Sequence, residues 1–172
     1  MIYWHYTNGR HIVSLMVDGV IMPRDDGSGA SPLVWFSCNP SWEMAASRYV
    51  KWGRDTGGIT ILNREAMALF CDGIFRIGVD PEKFVLHRWP DDLRERACIS
   101  QIAYERHLAG ARWANSNPME WAGSLVPVPF ESWDRIEQAR GDRWETFDAD
   151  AARRLTKEVG MRLTVSPTDR NV

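Results

Sequence analysis

Apolar and aromatic residues alternate with polar ones from Ile2 to Thr7, a period of two that predicts a strand ending in His5, Tyr6 and Thr7. Asn8 then reads as a helix N-cap: Ile12, Leu15 and Met16 recur at i, i+3 and i+4 before Asp18-Gly19 stops the helix. Val20 to Met22 is a short strand halted by Pro23, and Asp25 to Pro32 is a flexible loop without a bulky side chain. Leu33 to Ser37 reads as a buried strand. Pro40 to Tyr49 suits a short helix whose small apolar face is Met44, Ala45 and Ala46, and Lys51 to Gly58 is a charged, glycine-containing loop.

Further along, Ile59 to Leu62 is a strand, Arg64 to Cys71 a helix, and Ile74 to Val79 a strand closed by Asp80-Pro81. Val85 to Trp89 is another short strand. Asp91 to Ala111 carries the longest helical pattern, with Leu93, Ala97, Ile99, Ile102, Ala103 and Leu108 near the helical period, and Asn115-Ser116-Asn117-Pro118 breaks it. Glu120 to Val128 reads as a strand, Pro129 leads into a turn near Trp133, Trp144 to Phe147 is a last strand and Asp150 to Val159 a helix. Short strands interspersed with helices, without repeats or an interdomain linker, predict an α+β fold in one domain over residues 1–162, with residues 163–172 a flexible tail.

Composition narrows the class. A chain of 172 residues is long enough to bury about 70% of its unfolded surface, so it needs no staples. Its 21 basic and 23 acidic residues leave a net charge of −2, which excludes a polybasic coat and confines any nucleic-acid contact to a local patch. The apolar runs fall far short of the ~20 residues a bilayer span requires. Met1-Ile2-Tyr3-Trp4-His5 has neither the basic nor the apolar region of a signal peptide, so a cytoplasmic protein without a membrane partner is expected. Cys38, Cys71 and Cys98 are widely spaced thiols with no CxxC pair, and the four histidines do not fall at metal-ligand spacing with cysteine or aspartate. Nine tryptophans are the unusual feature, and Trp35, Trp42, Trp52, Trp113 and Trp121 stand beside polar residues. An indole with an apolar face and one donor suits a core, a rim or a ligand-stacking wall.

Nucleotide-binding glycine loops, GxSxG and HExxH are all missing, which leaves a Cys–His pairing through Cys38 and a set of polar residues at strand ends. Cys38 follows a strand next to a predicted helix start, a position that would lower a thiol pKa. His5 and Thr7 share one strand face and Tyr6 takes the other, while Trp35 and Ser37 share a face of the third strand.

The order of that set resembles the ADP-ribosyltransferase fold family. Tyr3-Trp4-His5-Tyr6-Thr7 is similar to the family's first strand, and the HIVSLMVDGVIMP stretch from His11 to Pro23 is similar to one in its DNA-targeting toxins and in the RNA 2′-phosphotransferases. Val34-Trp35-Phe36-Ser37 followed by Ala45-Ala46-Ser47-Arg48-Tyr49 resembles the second motif of poly(ADP-ribose) polymerases. Glu120, in NPMEWAGSLVPVP, stands upstream of a Val-Pro stretch as in the third motif.

The resemblance implies a split mixed β-sheet with flanking helices and NAD as substrate. It assigns His5 to the ribose, Tyr6, Thr7 and Ser37 to the dinucleotide, Tyr49 with Trp35 or Trp42 to stacking on the nicotinamide, and Glu120 to catalysis beside His5; Arg10, Arg48 and Arg76 are candidates for the pyrophosphate because guanidinium suits bidentate phosphate contacts. Glu131 and Glu137 compete with Glu120, because Gly123-Ser124 occupy the place nearest the Val-Pro stretch. The implied activity is transfer of ADP-ribose to a macromolecule, protein or nucleic acid, by a toxin with an antitoxin partner or a factor in phage–host conflict. The surplus of Trp beside polar positions keeps open a non-enzymatic module gripping a nucleotide or peptide in an aromatic cleft. A 2′-phosphotransferase would want more basic residues than this chain carries.

Overall fold

The computed structural model describes residues 1–52 and 58–148. Its backbone is a seven-stranded sheet in the order β11-β10-β6-β1-β3-β8-β7, antiparallel at every pairing among the described residues. The strands are β1 (Tyr3–Asn8), β3 (Val34–Ser37), β6 (Ile74–Val79), β7 (His87–Arg88), β8 (Trp121–Ser124), β10 (Trp133–Arg140) and β11 (Arg143–Thr146). Two small ladders lie beside it: β2 (Val20–Ile21) with β9 (Val128–Pro129), and β4 (Tyr49–Trp52) with β5 (Gly58–Ile61). The fold is α+β in one domain, as the element pattern predicts, but the sheet is antiparallel where a mixed one is expected.

Among the described residues there are four α-helices: α1 (Gly9–Asp18), α2 (Arg64–Phe70), α3 (Asp91–Arg96) and α4 (Gln101–Ala114). Asn8 caps α1 by accepting the His11 amide at 3.1 Å, and Gly19 leaves it with φ 68°, the left-handed conformation glycine takes without strain. Ile12 and Met16 bury the apolar stripe of α1 against Tyr3, Phe75, Ile77, Val79, Val34 and Phe36 of the sheet. A second cluster gathers Leu33, Trp89, Leu93, Ala97, Ile99, Ala103 and Trp121 beneath α3 and α4. No helix of the described residues is long and apolar enough to cross a membrane.

Several elements differ from the sequence expectation for local reasons. Pro40 to Tyr49 is not a helix: only Met44–Ala46 make one 3₁₀ turn, and Tyr49 opens β4. Side chains there bond their own backbone instead, Asn39 Oδ1 accepting Ser41 N at 2.9 Å and Glu43 Oε1 accepting Ala45 N at 3.0 Å, which competes with helical pairing. The predicted loop from Lys51 to Gly58 has strand at both ends, with residues 53–57 outside the described part. The long helix from Asp91 to Ala111 is two helices, because Cys98 adopts φ 54° and Ser100 caps α4 through Ala103 N at 3.2 Å. Pro118–Glu120 form a 3₁₀ turn, so the strand begins at Trp121 and ends at Ser124, short of Val128. β10, the longest strand, falls where a turn near Trp133 is expected; among its residues only Ile136 is in the core, and the rest is too polar to alternate visibly. The helix expected over Asp150 to Val159 and the tail over residues 163–172 lie outside the described residues.

Candidate functional site

β1 is the central strand and its two sides are unequal. Toward β6 it pairs at all six positions, from Tyr3↔Val79 to Asn8↔Ile74. Toward β3 it pairs at one, Trp4↔Ser37. Continued in register, the ladder would set Tyr6 opposite Trp35 and Thr7 opposite Val34; the strands part instead, and the His5 ring crosses the gap to bond the Trp35 carbonyl at 3.0 Å. A carbonyl only accepts, so Nδ1 carries the proton. Burial holds the His5 pKa below its ordinary value, so the ring is neutral and Nε2 is left as an acceptor.

Two clefts meet at this parting, with His5, Tyr6, Trp35 and Ala46 lining both. The larger, about 380 Å³, runs along Thr7 and Asn8 past α1 to Arg24, Asp26 and Arg48. The smaller, about 300 Å³, is walled by aromatic rings and closed by Ser37, Glu43 and His107. Each reaches the scale of small-molecule sites, which begin at roughly 300 Å³. In the smaller cleft the Trp35 ring lies 5.2 Å from His107 and 6.1 Å from Trp121, the latter edge-on at 73°.

Glu43 is its chemical centre, and no motif in the sequence marks it. Ser37 and Trp121 face each other directly across β3 and β8, so both side chains project from the same face and converge on one atom. Ser37 Oγ donates to Glu43 Oε2 at 2.8 Å, and Trp121 Nε1 donates to the same oxygen at 3.1 Å. With Ala45 N on Oε1, a carboxylate only 5% exposed is fixed by three donors from three parts of the chain. The one hint available to sequence reasoning is that Glu43 precedes the Met-Ala-Ala turn by one residue, where a capping acceptor belongs.

The residues named from sequence are distributed as follows. His5, Tyr6, Thr7, Trp35 and Ser37 come together at the clefts. Tyr6 donates its hydroxyl to Asn39 O at 3.1 Å and stands edge-on to Trp42 at 5.0 Å; burial pushes its phenol up to about 12. Arg48 lines the larger cleft together with Arg24, which the sequence reading did not name. Arg10 lies in α1 and Tyr49 in β4, their side chains outside the described part.

Arg76 lines neither cleft. Tyr6, Arg76 and Glu137 form one cross-strand row, and the Arg76 guanidinium donates to Glu137 Oε2 from Nε at 2.7 Å and from Nη2 at 2.5 Å. Nη1 donates to Pro40 O at 2.7 Å, and the group stacks 3.8 Å over Trp4 and 4.2 Å over Trp144. This pins the loop after β3 to the sheet and occupies Glu137.

Glu131 is exposed in the 3₁₀ turn before β10. Glu120 lies in the turn before β8, where its carbonyl accepts Cys38 N at 2.9 Å and its Oε1 accepts Asn117 Nδ2 at 3.3 Å. Its Oε2 is buried without a hydrogen-bond partner, and Glu120 lines neither cleft. Cys38 is not an activated thiol: burial raises its pKa, and the Glu120 charge raises it further. The loop from Asp25 to Pro32 is a loop as expected, though more ordered than its composition suggests. Asp25 and Asp26 accept Gly27 N and Ser28 N at 2.8 and 2.9 Å, and Ser31 N reaches Ala97 O at 2.9 Å.

Comparison with protein-family models, with curated proteins and with solved structures finds no match to this chain.

Proposed function

We propose that the chain is an ADP-ribosyltransferase-like enzyme that binds NAD in the two joined clefts and transfers ADP-ribose to a macromolecule. The observation that carries this reading is the parting of β1 from β3 at His5, which sets a neutral imidazole acceptor between an aromatic slot and a longer polar cleft. A dinucleotide asks for that combination. A flat ring lies on Trp35 with the Trp121 indole standing edge-on to that face, a ribose hydroxyl donates to His5 Nε2, and the phosphates run along the larger cleft toward Arg24 and Arg48.

Breaking the nicotinamide–ribose bond sends the bonding pair to the leaving nicotinamide and leaves an oxocarbenium-like ribose. An apolar slot for the leaving ring and a carboxylate near the developing cation both favour that step. The resemblance assigns the carboxylate to Glu120. Action in the cytoplasm, with an antitoxin as partner, is the context that the same resemblance suggests.

The position of Glu120 outside both clefts favours a second reading, a non-enzymatic module that holds a nucleotide without turning it over. One pair of experiments separates the two. Calorimetry should give a saturable heat with NAD, and chromatography should show nicotinamide released by the wild type and not by Glu120→Gln. A heat without release supports the module; release retained by Glu120→Gln removes that residue from catalysis; no heat at all rejects NAD as the ligand.

A further inference from the structure

The hydrogen-bond count at Glu43 leaves one acceptor position open. Each carboxylate oxygen offers about two acceptor sites. Oε2 uses both, on Ser37 Oγ and Trp121 Nε1, whereas Oε1 takes only Ala45 N among the described residues. Ser37 cannot turn away, since its hydroxyl also accepts Asn39 N at 3.1 Å. The carboxylate is therefore locked in orientation before any ligand arrives, with its remaining acceptor on a residue that lines the aromatic cleft.

A buried site built to accept an N–H discriminates strongly, because an analogue without that donor leaves the acceptor unpaired. Among the described residues, arginine and lysine are absent from the lining of this cleft, so an anionic group there meets no countercharge from those walls. Trp35, Trp121, Phe36 and His107 supply flat faces. A ring presenting a neutral N–H donor fits; a ring presenting a carboxylate does not.

We infer that Glu43 is the specificity-determining residue of the smaller cleft, accepting a carboxamide N–H from a stacked heteroaromatic ring and rejecting the corresponding acid. The inference rests on the NAD reading, in which the ring is nicotinamide. It makes Glu43 a ligand-contacting residue of the β3–β4 connection, separate from the groups that read the ribose and phosphates.

The test compares NAD with nicotinic acid adenine dinucleotide, which differs only by a carboxylate in place of the carboxamide, using calorimetry on the full chain. Wild-type protein should bind the acid at least tenfold more weakly, because two carboxylates would face each other in a dry pocket. Equal affinity for the two dinucleotides overturns the inference while leaving the NAD reading intact, as happens if the cleft takes the adenine end instead. Binding of neither rejects the NAD reading and the inference with it.

Glu43→Gln supplies a second readout. With its oxygen kept on Ser37 and Trp121, the glutamine amide gives up the Ala45 N bond and places a donor where Oε1 was, so the preference for the amide over the acid should shrink tenfold or reverse. A residue that merely holds the fold would weaken both ligands by the same factor, and that result overturns the inference. Should the variant fail to fold, the wild-type ratio still decides.

Discussion

Substituting Gly78 by alanine tests how the row of side chains behind the site is packed. Gly78 lies between Trp4 of β1 and Arg135 of β10 in register, and its backbone is crossed by the Trp4 indole. A Cβ at this position would sit 2.9 Å from Trp4 Cζ3 and 2.9 Å from Ile2 Cγ2, against the roughly 3.5–4.0 Å at which carbon pairs are comfortable. The indole is held by the Arg76 guanidinium at 3.8 Å, so it retreats only by disturbing a buried ion pair. Overpacking of this kind costs about 1–3 kcal/mol, and a weakened cation–π contact adds on the order of 0.5–1 kcal/mol. The expected loss is about 2–3 kcal/mol, or about 4–12 °C in Tm for a chain of this size.

Reversible urea and thermal unfolding of Gly78→Ala read this directly. Gly110→Ala is the control: an added Cβ on that exposed turn of α4 meets nothing within 4 Å, so alanine should be stabilising by about 0.5–1 kcal/mol. The same chemical change thus takes opposite signs at two sites. Trp4→Leu combined with Gly78→Ala should recover part of the loss, a favourable coupling in a double-mutant cycle. A Gly78→Ala protein as stable as the wild type would refute the packing argument, whatever the control shows.

Gly9→Ala should be far more severe, on the order of 4 kcal/mol or more by chemical denaturation, because its Cβ would lie 1.9 Å from the Asp72 carbonyl oxygen and backbone cannot give way there. Burial lowers the pKa of both His5 and His107 from 6.5. Below pH 6.5 the unfolded chain takes up protons that the fold resists, so stability is full above that pH and declines as pH falls toward 5. The urea midpoint should therefore drop between pH 7 and pH 5, and His5→Gln should drop less; an identical decline would remove His5 from the effect. In the free protein, the amides of Gly27, Ser28 and Ala30 should exchange fast, since their bonds are local turns, while Ser31, bonded to Ala97 O, exchanges more slowly; saturating NAD should slow the loop together with His5 to Thr7. Protection confined to α4 would place the ligand elsewhere.

Where the fold was legible, the signal was short-range. β1, α1, α2 and β6 stand where the sequence predicts them: β1 and α1 by periodicity, the Asn8 cap and the Asp18-Gly19 stop, and β6, buried at all six positions, as a short mostly apolar run closed by Asp80-Pro81. The polar row of Tyr6, Arg76 and Glu137 hides β10, since a strand stabilised by an ion pair and indole stacking carries no apolar alternation. The break at Cys98 and the capping by Ser100 divide a pattern that looks continuous when only Leu93, Ala97, Ile99 and Ala103 are counted, because both helices bury into the same cluster. His5, Tyr6, Thr7, Trp35 and Ser37 could be grouped from sequence because they sit on two strands that become neighbours. Glu43 could not, since its partners Ser37 and Trp121 are 6 and 78 residues away and only the β3–β8 ladder brings them together.

The lone rung at Trp4↔Ser37 also changes what a ligand would be to this protein. Most binding sites are rooms in a finished building. Here the occupant would stand in the gap between two half-sheets, touching both, and would serve as a missing course of the wall. Affinity and rigidity then become one quantity: ligand at a hundred times its Kd should raise the unfolding free energy by about 2.7 kcal/mol. Emptying the cleft would remove that increment and leave the buried core to hold the rest of the fold.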